Sequence, residues 1–139
     1  MTGREFADVL IDESGYQLNA CLAGVTEETF VAKPLGAMLS IRETFEHLTE
    51  CCLAVQAVFA EEKFSWGTYR FPAGTMDELI KIFDGERAKA VAIALDNFDS
   101  KPDYSKEYLI AHEFYHVGQM VSIRLALNDG FEPYSIYRH

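Results

Sequence analysis

Ser40-Ile41-Arg42-Glu43-Thr44-Phe45-Glu46-His47-Leu48 reads as the first turns of a helix, and the fold follows from it. Ser40 and Glu43 form a capping box. The hydroxyl accepts from the Glu43 amide and the carboxylate reaches back to the Ser40 amide, which satisfies donors that a helix start leaves open. Behind the cap, Ile41, Phe45, Leu48, Cys52, Val55 and Phe59 return in steps of four and three. That is the spacing of a seam packed on another helix. The helix is expected to end near Glu61.

Working outward, an earlier helix is expected from Arg4 to Ala23, with Phe6, Val9, Leu10, Tyr16 and Ala20 at helical spacing and Gly24 as its left-handed cap. Thr26 to Leu39, with Pro34 and Gly36, reads as a connection holding a short helical turn at Glu27–Phe30. After the Ser40 helix, Lys63 to Gly74 is a long loop or hairpin-like excursion. Its aromatic residues are placed to cover one end of the molecule. Thr75 and Glu78 open a third long helix, running to about Phe98, with Asp84-Gly85 as a point of weakness. Pro102 marks the turn into a fourth, Tyr104 to Leu127, which stops at Asn128-Asp129-Gly130. Four amphipathic helices on short connections predict an all-α four-helix bundle in one domain spanning residues 1–139.

Composition narrows the function. The 139 residues are 49% apolar and 24% charged, an ordinary globular balance. A formal net charge of −10 repels phosphate backbones and anionic headgroups, so neither nucleic acid nor membrane is expected as a partner. No apolar run approaches the roughly 18 residues of a membrane span. The acidic N-terminal stretch lacks the layout of a secretory signal. Three cysteines, two of them adjacent at Cys51 and Cys52, make a poor disulfide framework, which points to a reducing cytoplasm.

Three of the chain's four histidines carry the chemistry. His112 and His116 stand one turn apart on one helix face, within reach of a single ion. His47, from the Ser40 helix, supplies a third nitrogen across the bundle. Three neutral imidazoles leave a coordination position open, as in catalytic sites, and a divalent ion there lowers the pKa of a bound water or thiol. On the last helix Tyr108, His112, Tyr115, His116, Gln119 and Ile123 fall on one side. Phe114, Val117, Gly118, Val121 and Leu125 fall on the other. A helix covered on both faces is either central in the monomer or meets a partner subunit, and a homodimer is expected. His139 is expected to be solvated.

Ser40 to Leu48 resembles the first histidine motif of the DinB/YfiT-like family. Ala111-His112-Glu113-Phe114-Tyr115-His116-Val117-Gly118-Gln119-Met120 resembles its second, in which two histidines four apart precede Gly-Gln. Gly24 to Glu28 through Lys33-Pro34, and the late Gly130 and Pro133, also sit where such chains carry them. The resemblance implies a four-helix bundle with a long crossover connection, often dimeric, whose histidines bind nickel, zinc or a similar divalent ion. By motif position these are His47, His112 and His116. It further implies thiol-dependent S-transferase chemistry on a small-molecule substrate, with a low-molecular-weight thiol as cofactor. Many relatives carry a further histidine and an arginine around the Gly-Gln, where this chain has Tyr115 and Val117.

Other residues join the site by position. Cys51, one turn after His47, reads as a fourth ligand, a redox-sensitive neighbour or core filling. Glu43 and Glu50 flank His47 and read as acceptors for an imidazole N–H, as general bases or as a cap and a solvated face. Gln119, one turn beyond His116, is placed for substrate or for an imidazole. Tyr108 and Tyr115 are placed to donate to a metal-bound oxygen or to pack. Trp66 and Tyr69 line a pocket mouth or close the bundle. Metal-dependent hydrolysis with water in place of the thiol, non-catalytic metal or ligand binding, and a metal-free structural role with the histidines as hydrogen-bonded core residues are the alternatives to thiol transfer.

Overall fold

The structure, a computed structural model, describes residues 1–138. His139, with the expectation attached to it, lies outside the described residues. The fold is all-α. Its helices are α1 (Gly3–Ala20), the short α2 (Glu27–Val31), α3 (Ile41–Phe59), α4 (Met76–Asp96) and α5 (His112–Leu127). A π-helical segment, Tyr104–Ala111, runs directly into α5, and a 3-10 turn, Pro133–Ile136, follows it. Among the described residues there is no strand, and no helix is long and apolar enough to cross a membrane.

Hydroxyl caps start the first four helices. Reciprocal capping boxes are formed by Thr2 with Glu5, Thr26 with Thr29, Ser40 with Glu43 and Thr75 with Glu78. Each cap stabilises its helix by about 1 kcal/mol. Gly24 takes the left-handed conformation expected of it (φ +78°), although α1 ends earlier, at Ala20. α4 runs through Asp84-Gly85 without a break.

α3 packs most extensively on α4, while α1 packs on α5 and the π-helical segment. Contacts of α3 with α5 and of α1 with α4 close the arrangement around one core. The α3 seam is buried as its spacing predicts, with Phe59 at its half-buried end. Phe45 meets Phe83 of α4 edge to face at 5.1 Å, a favoured aromatic geometry.

Three expectations need correction. α1 buries Ala7, Ile11, Ser14, Gln17 and Leu18, whereas Phe6, Val9 and Tyr16 are exposed. The buried stripe carries polar residues with specific partners, so apolar spacing pointed to the wrong face. On α5 the buried face is Glu113, His116, Val117, Met120, Ile123 and Arg124. Gly118 and Leu125 are exposed and do not share a face with Val117. The third concerns Tyr104 to Ala111, which is π-helical rather than α-helical. Eight residues are too few for apolar periodicity to separate the two windings.

Arg124 ties α5 to α1. Its guanidinium, 2% exposed, donates to the carbonyls of Cys21 (2.8 Å) and Ala23 (2.7 Å), pairs with Asp129 at 3.0 Å and lies over the Phe131 ring. A cation at these open carbonyls satisfies acceptors and opposes the negative end of the α1 dipole. Asn128, at φ +52°, then turns the chain out of α5.

Candidate metal centre

His47 projects from the middle of α3, one turn after Glu43, and meets the beginning of α5. The Nε2 atoms of His47 and His112 are 3.1 Å apart, and those of His112 and His116 are 2.9 Å apart. The three rings meet edge to face rather than stacked, with centroids 4.5 to 5.1 Å apart. A neutral imidazole has one N–H and one lone pair. His112 Nε2 can complete only one good hydrogen bond with its two nitrogen neighbours, which leaves lone pairs directed at each other. Two ligands of a tetrahedral ion with bonds of ~2.0–2.1 Å stand about 3.3–3.4 Å apart. The His47–His112 and His112–His116 separations fall slightly short of that spacing and within hydrogen-bond range, so this donor set is compatible with a divalent cation as well as with hydrogen bonding.

Electrostatics prepare the same form. Burial, and then the charges of His112 and His47, hold the His116 pKa down to about 4, with Gln119 weakly opposing. His112 is lowered by burial and by His47, and a hydrogen bond with the Tyr108 backbone opposes this. Both imidazoles are therefore neutral at pH 7, the state that ligates. The buried His116 Nδ1 has no hydrogen-bond partner. Gln119, one turn on, donates its amide to the Tyr115 hydroxyl at 3.0 Å.

A second donor set shares two of these histidines. Cys51 Sγ lies 3.8 Å from His47 Nε2, and the ligating atoms of His47, Cys51 and His112 all fall within 4.8 Å of one another. Burial first, with Glu50 and Glu113 adding to it, pushes the Cys51 thiol up to about 12. Without a cation beside it this sulfur is protonated. Cys52 faces the opposite way, buried in the α3 seam, where burial raises its pKa as well.

The acidic residues of α3 divide between two tasks. Glu43 caps the helix and pairs with Lys33 at 3.5 Å. Glu50, 5% exposed, accepts from the backbone amides of Gly67 (3.0 Å) and Tyr69 (2.9 Å). Glu46 accepts from the Phe71 amide at 2.8 Å. Together they pin the Lys63 to Gly74 loop along α3, and Gly67 makes the turn at φ +79° that a side chain would strain. The loop thus holds Trp66 beside Tyr108, the two rings nearly parallel at 6.4 Å. They border a cavity of about 470 Å³ that opens onto His47, Cys51 and His112. Tyr69 packs on the core and lines a separate cavity with Glu43, Glu46, His47 and Glu50. Tyr115 is 62% exposed, with its ring edge-on to His116 at 5.1 Å.

Sequence reasoning passed over Glu113, which lies between the two α5 histidines. It is 1% exposed and accepts from Arg87 Nε (2.8 Å), Arg87 Nη2 (2.9 Å) and Ser14 Oγ (2.7 Å). Arg87 also donates to the Ile11 carbonyl at 2.6 Å. Burial alone lowers the Arg87 pKa, but the hydrogen bond and charge of Glu113 outweigh it and the net shift is upward. The available signal was a carboxylate on the stripe of Val117 and Met120, matched by one arginine on α4.

In comparisons with known proteins, no family model, curated protein or solved structure matches the chain. The likeness carried by the two histidine motifs stands on those residues alone.

Proposed function

We propose that this protein is a metal-dependent enzyme of the DinB/YfiT-like kind, a four-helix bundle with a long crossover connection. Its divalent ion, nickel or zinc, is held by His47, His112 and His116. The observation that carries the reading is that His112 Nε2 lies 3.1 Å from His47 Nε2 and 2.9 Å from His116 Nε2, with His112 and His116 held neutral by burial. Bound there, the ion supplies Lewis acidity that lowers the pKa of a coordinated thiol or water. The chain supplies the rest. His47, His112 and His116 offer ring-nitrogen lone pairs, and the Trp66 loop borders the cavity on the His47 and His112 side. Tyr115, whose oxygen already accepts from Gln119, has its own proton free for a reacting oxygen. Glu43 lies one turn from His47 for a base role, although its carboxylate is engaged in the cap. A small-molecule electrophile and a low-molecular-weight thiol are the expected reactants. A cytoplasmic homodimer belongs to the same reading, supported by the exposed Leu125 and the open space beside Gly118 on α5.

The Cys51 distances favour a second reading, a closed, non-catalytic metal site with sulfur as fourth ligand. One experiment separates the readings. Metal content is measured on untagged protein and on His116→Ala, and the cobalt-substituted protein is examined for a sulfur-to-metal charge-transfer band. Stoichiometric metal in the natural chain, little in the variant and no such band support the open site. Turnover that requires added thiol then distinguishes transfer from hydrolysis. A band lost in Cys51→Ser supports the closed site. Failure of both proteins to take up nickel or zinc removes the metal centre altogether.

A further inference from the structure

The cavity beside His47 and His112 has a wall that no metal ligand explains. Trp66 and Tyr108 stand nearly parallel across it. The aromatic series continues with Tyr104, stacked on Tyr108 at 5.5 Å, and with Phe64, edge-on to Trp66 at 5.1 Å. Trp66 remains 51% exposed even though Glu50 holds the backbone of Gly67 and Tyr69. A buried carboxylate is thus used to present an indole to the cavity rather than to bury it. The tyrosines of this wall belong to the π-helical segment. It contributes Glu107, Tyr108 and the small, exposed Ala111 to the lining immediately before His112. Single-turn insertions of this winding recur at functional sites.

Charge selects the occupant. Among the described residues, Glu107 is the one charged side chain lining the cavity. Lys106 reaches Glu107 at 3.5 Å, but it is bound more closely by Asp103, at 2.8 Å, and stands outside the lining. No cation is therefore placed to receive an acid, and the whole chain carries −10. Indole and phenol faces attract cations through the ring quadrupole. About 470 Å³ suits a bicyclic molecule.

We infer that this cavity binds a planar aromatic cation, its ring against Trp66 and Tyr108 and its positive group toward Glu107. Binding stands on the aromatic wall itself. Only the fate of the ligand at the histidines rests on the proposed metal centre.

Trp66 is the single tryptophan of the chain, so one indole N–H resonance reports on the site. Nitrogen-15-labelled protein, free of metal and separately loaded with zinc, is titrated with 2-naphthylmethylammonium. The metal-free protein is also titrated with 2-naphthoate, whose carboxylate then has no ion to bind. The expected result is a saturable shift of the indole resonance with the cation in both forms, and binding of the carboxylate at least about tenfold weaker. Tyr108→Ala and Ala111→Leu each weaken the cation at least about tenfold, while circular dichroism confirms that both variants are folded. Absence of a saturable shift, equal affinity for the carboxylate, or unchanged affinity in folded Tyr108→Ala overturns the inference. Cation binding without zinc uptake removes the metal centre and leaves the aromatic site. Zinc uptake without cation binding does the reverse.

Discussion

Removing the Glu113 carboxylate strands the Arg87 guanidinium, and the structure permits the size of the effect to be worked out. Both side chains are largely withdrawn from water, at 17% exposure for Arg87 and 2% for Glu113. Three hydrogen bonds at 2.7 to 2.9 Å converge on the carboxylate, two of them from Arg87. Deleting one partner of a buried, hydrogen-bonded ion pair costs roughly 3–5 kcal/mol, because the other charge is left without compensation. For a domain of this size each kcal/mol lowers Tm by roughly 3–5 °C, so Glu113→Ala is expected to melt roughly 10–20 °C below the natural chain. Arg87→Met is expected to cost a similar amount by stranding the carboxylate.

The double variant, Arg87→Met with Glu113→Leu, leaves no stranded charge and places apolar atoms in the same space. It is expected to recover most of the loss and lie within about 2 kcal/mol of the natural chain. Urea unfolding followed by far-ultraviolet circular dichroism is read on the natural chain, Arg87→Met, Glu113→Leu (expected to cost as much as Glu113→Ala) and the double variant, the four corners of the cycle. The m-value checks that each unfolding remains two-state. Single variants costing under about 1 kcal/mol, or a double variant whose loss equals the sum of the singles, would refute the claim that the pair is buried and coupled.

Two further outcomes follow from neighbouring geometry. Gly15→Ala in α1 would ordinarily gain up to ~1 kcal/mol in helix propensity. Here a Cβ would meet Arg87 Nη1 at 2.9 Å, and that guanidinium is held by Glu113 and Ile11, so the expected net effect on urea unfolding is a loss of about 1 kcal/mol or more. A stabilised Gly15→Ala would mean that Arg87 is free to move. Glu50→Ala removes two charge-assisted bonds to the Trp66 loop, at a cost of about 2–3 kcal/mol concentrated in that segment. Protease cleavage within 64–70 is expected to accelerate and the Trp66 emission to shift to the red, and an unchanged cleavage rate would show that the loop needs no clamp.

The parts of the fold legible in the sequence are those governed by local chemistry. Ser40 with Glu43 and Thr75 with Glu78 announced their helices because the capping box is complete within four residues, and both boxes form. The α3 seam was legible because one side of the helix is apolar throughout. α1 was not, because its inward face contains Ser14 and Gln17, whose burial depends on partners such as Glu113, 99 residues away from Ser14. Apolar spacing therefore selected Phe6, Val9 and Tyr16, and the last of these instead receives Arg138 over its ring at 4.3 Å. The π-helical winding at Tyr104 to Ala111 carried no composition signal at all.

The histidines were legible for a different reason. Spacing of four on α5 predicts a shared face wherever the helix packs, and a third histidine on the flank of the α3 seam faces the same interior. What spacing could not supply is the rotation of α5 that turns this face toward His47. Glu113 supplies it. In an α-helix, Glu113 is displaced by about 100° from His112 and about 60° from His116 around the axis. Neither imidazole can turn away from α3 without drawing the carboxylate off Arg87 and Ser14. On the opposite side, Glu50 fixes the loop that roofs the same nitrogens. Both devices consume a buried acid, of which the sequence offered Glu50 also as a base, and they leave Cys51 as a nearby group whose role depends on whether an ion is present. In the proposed metal site, open or closed character therefore turns on this sulfur, 3.8 Å from His47 Nε2 and protonated unless a cation makes the thiolate the favoured form.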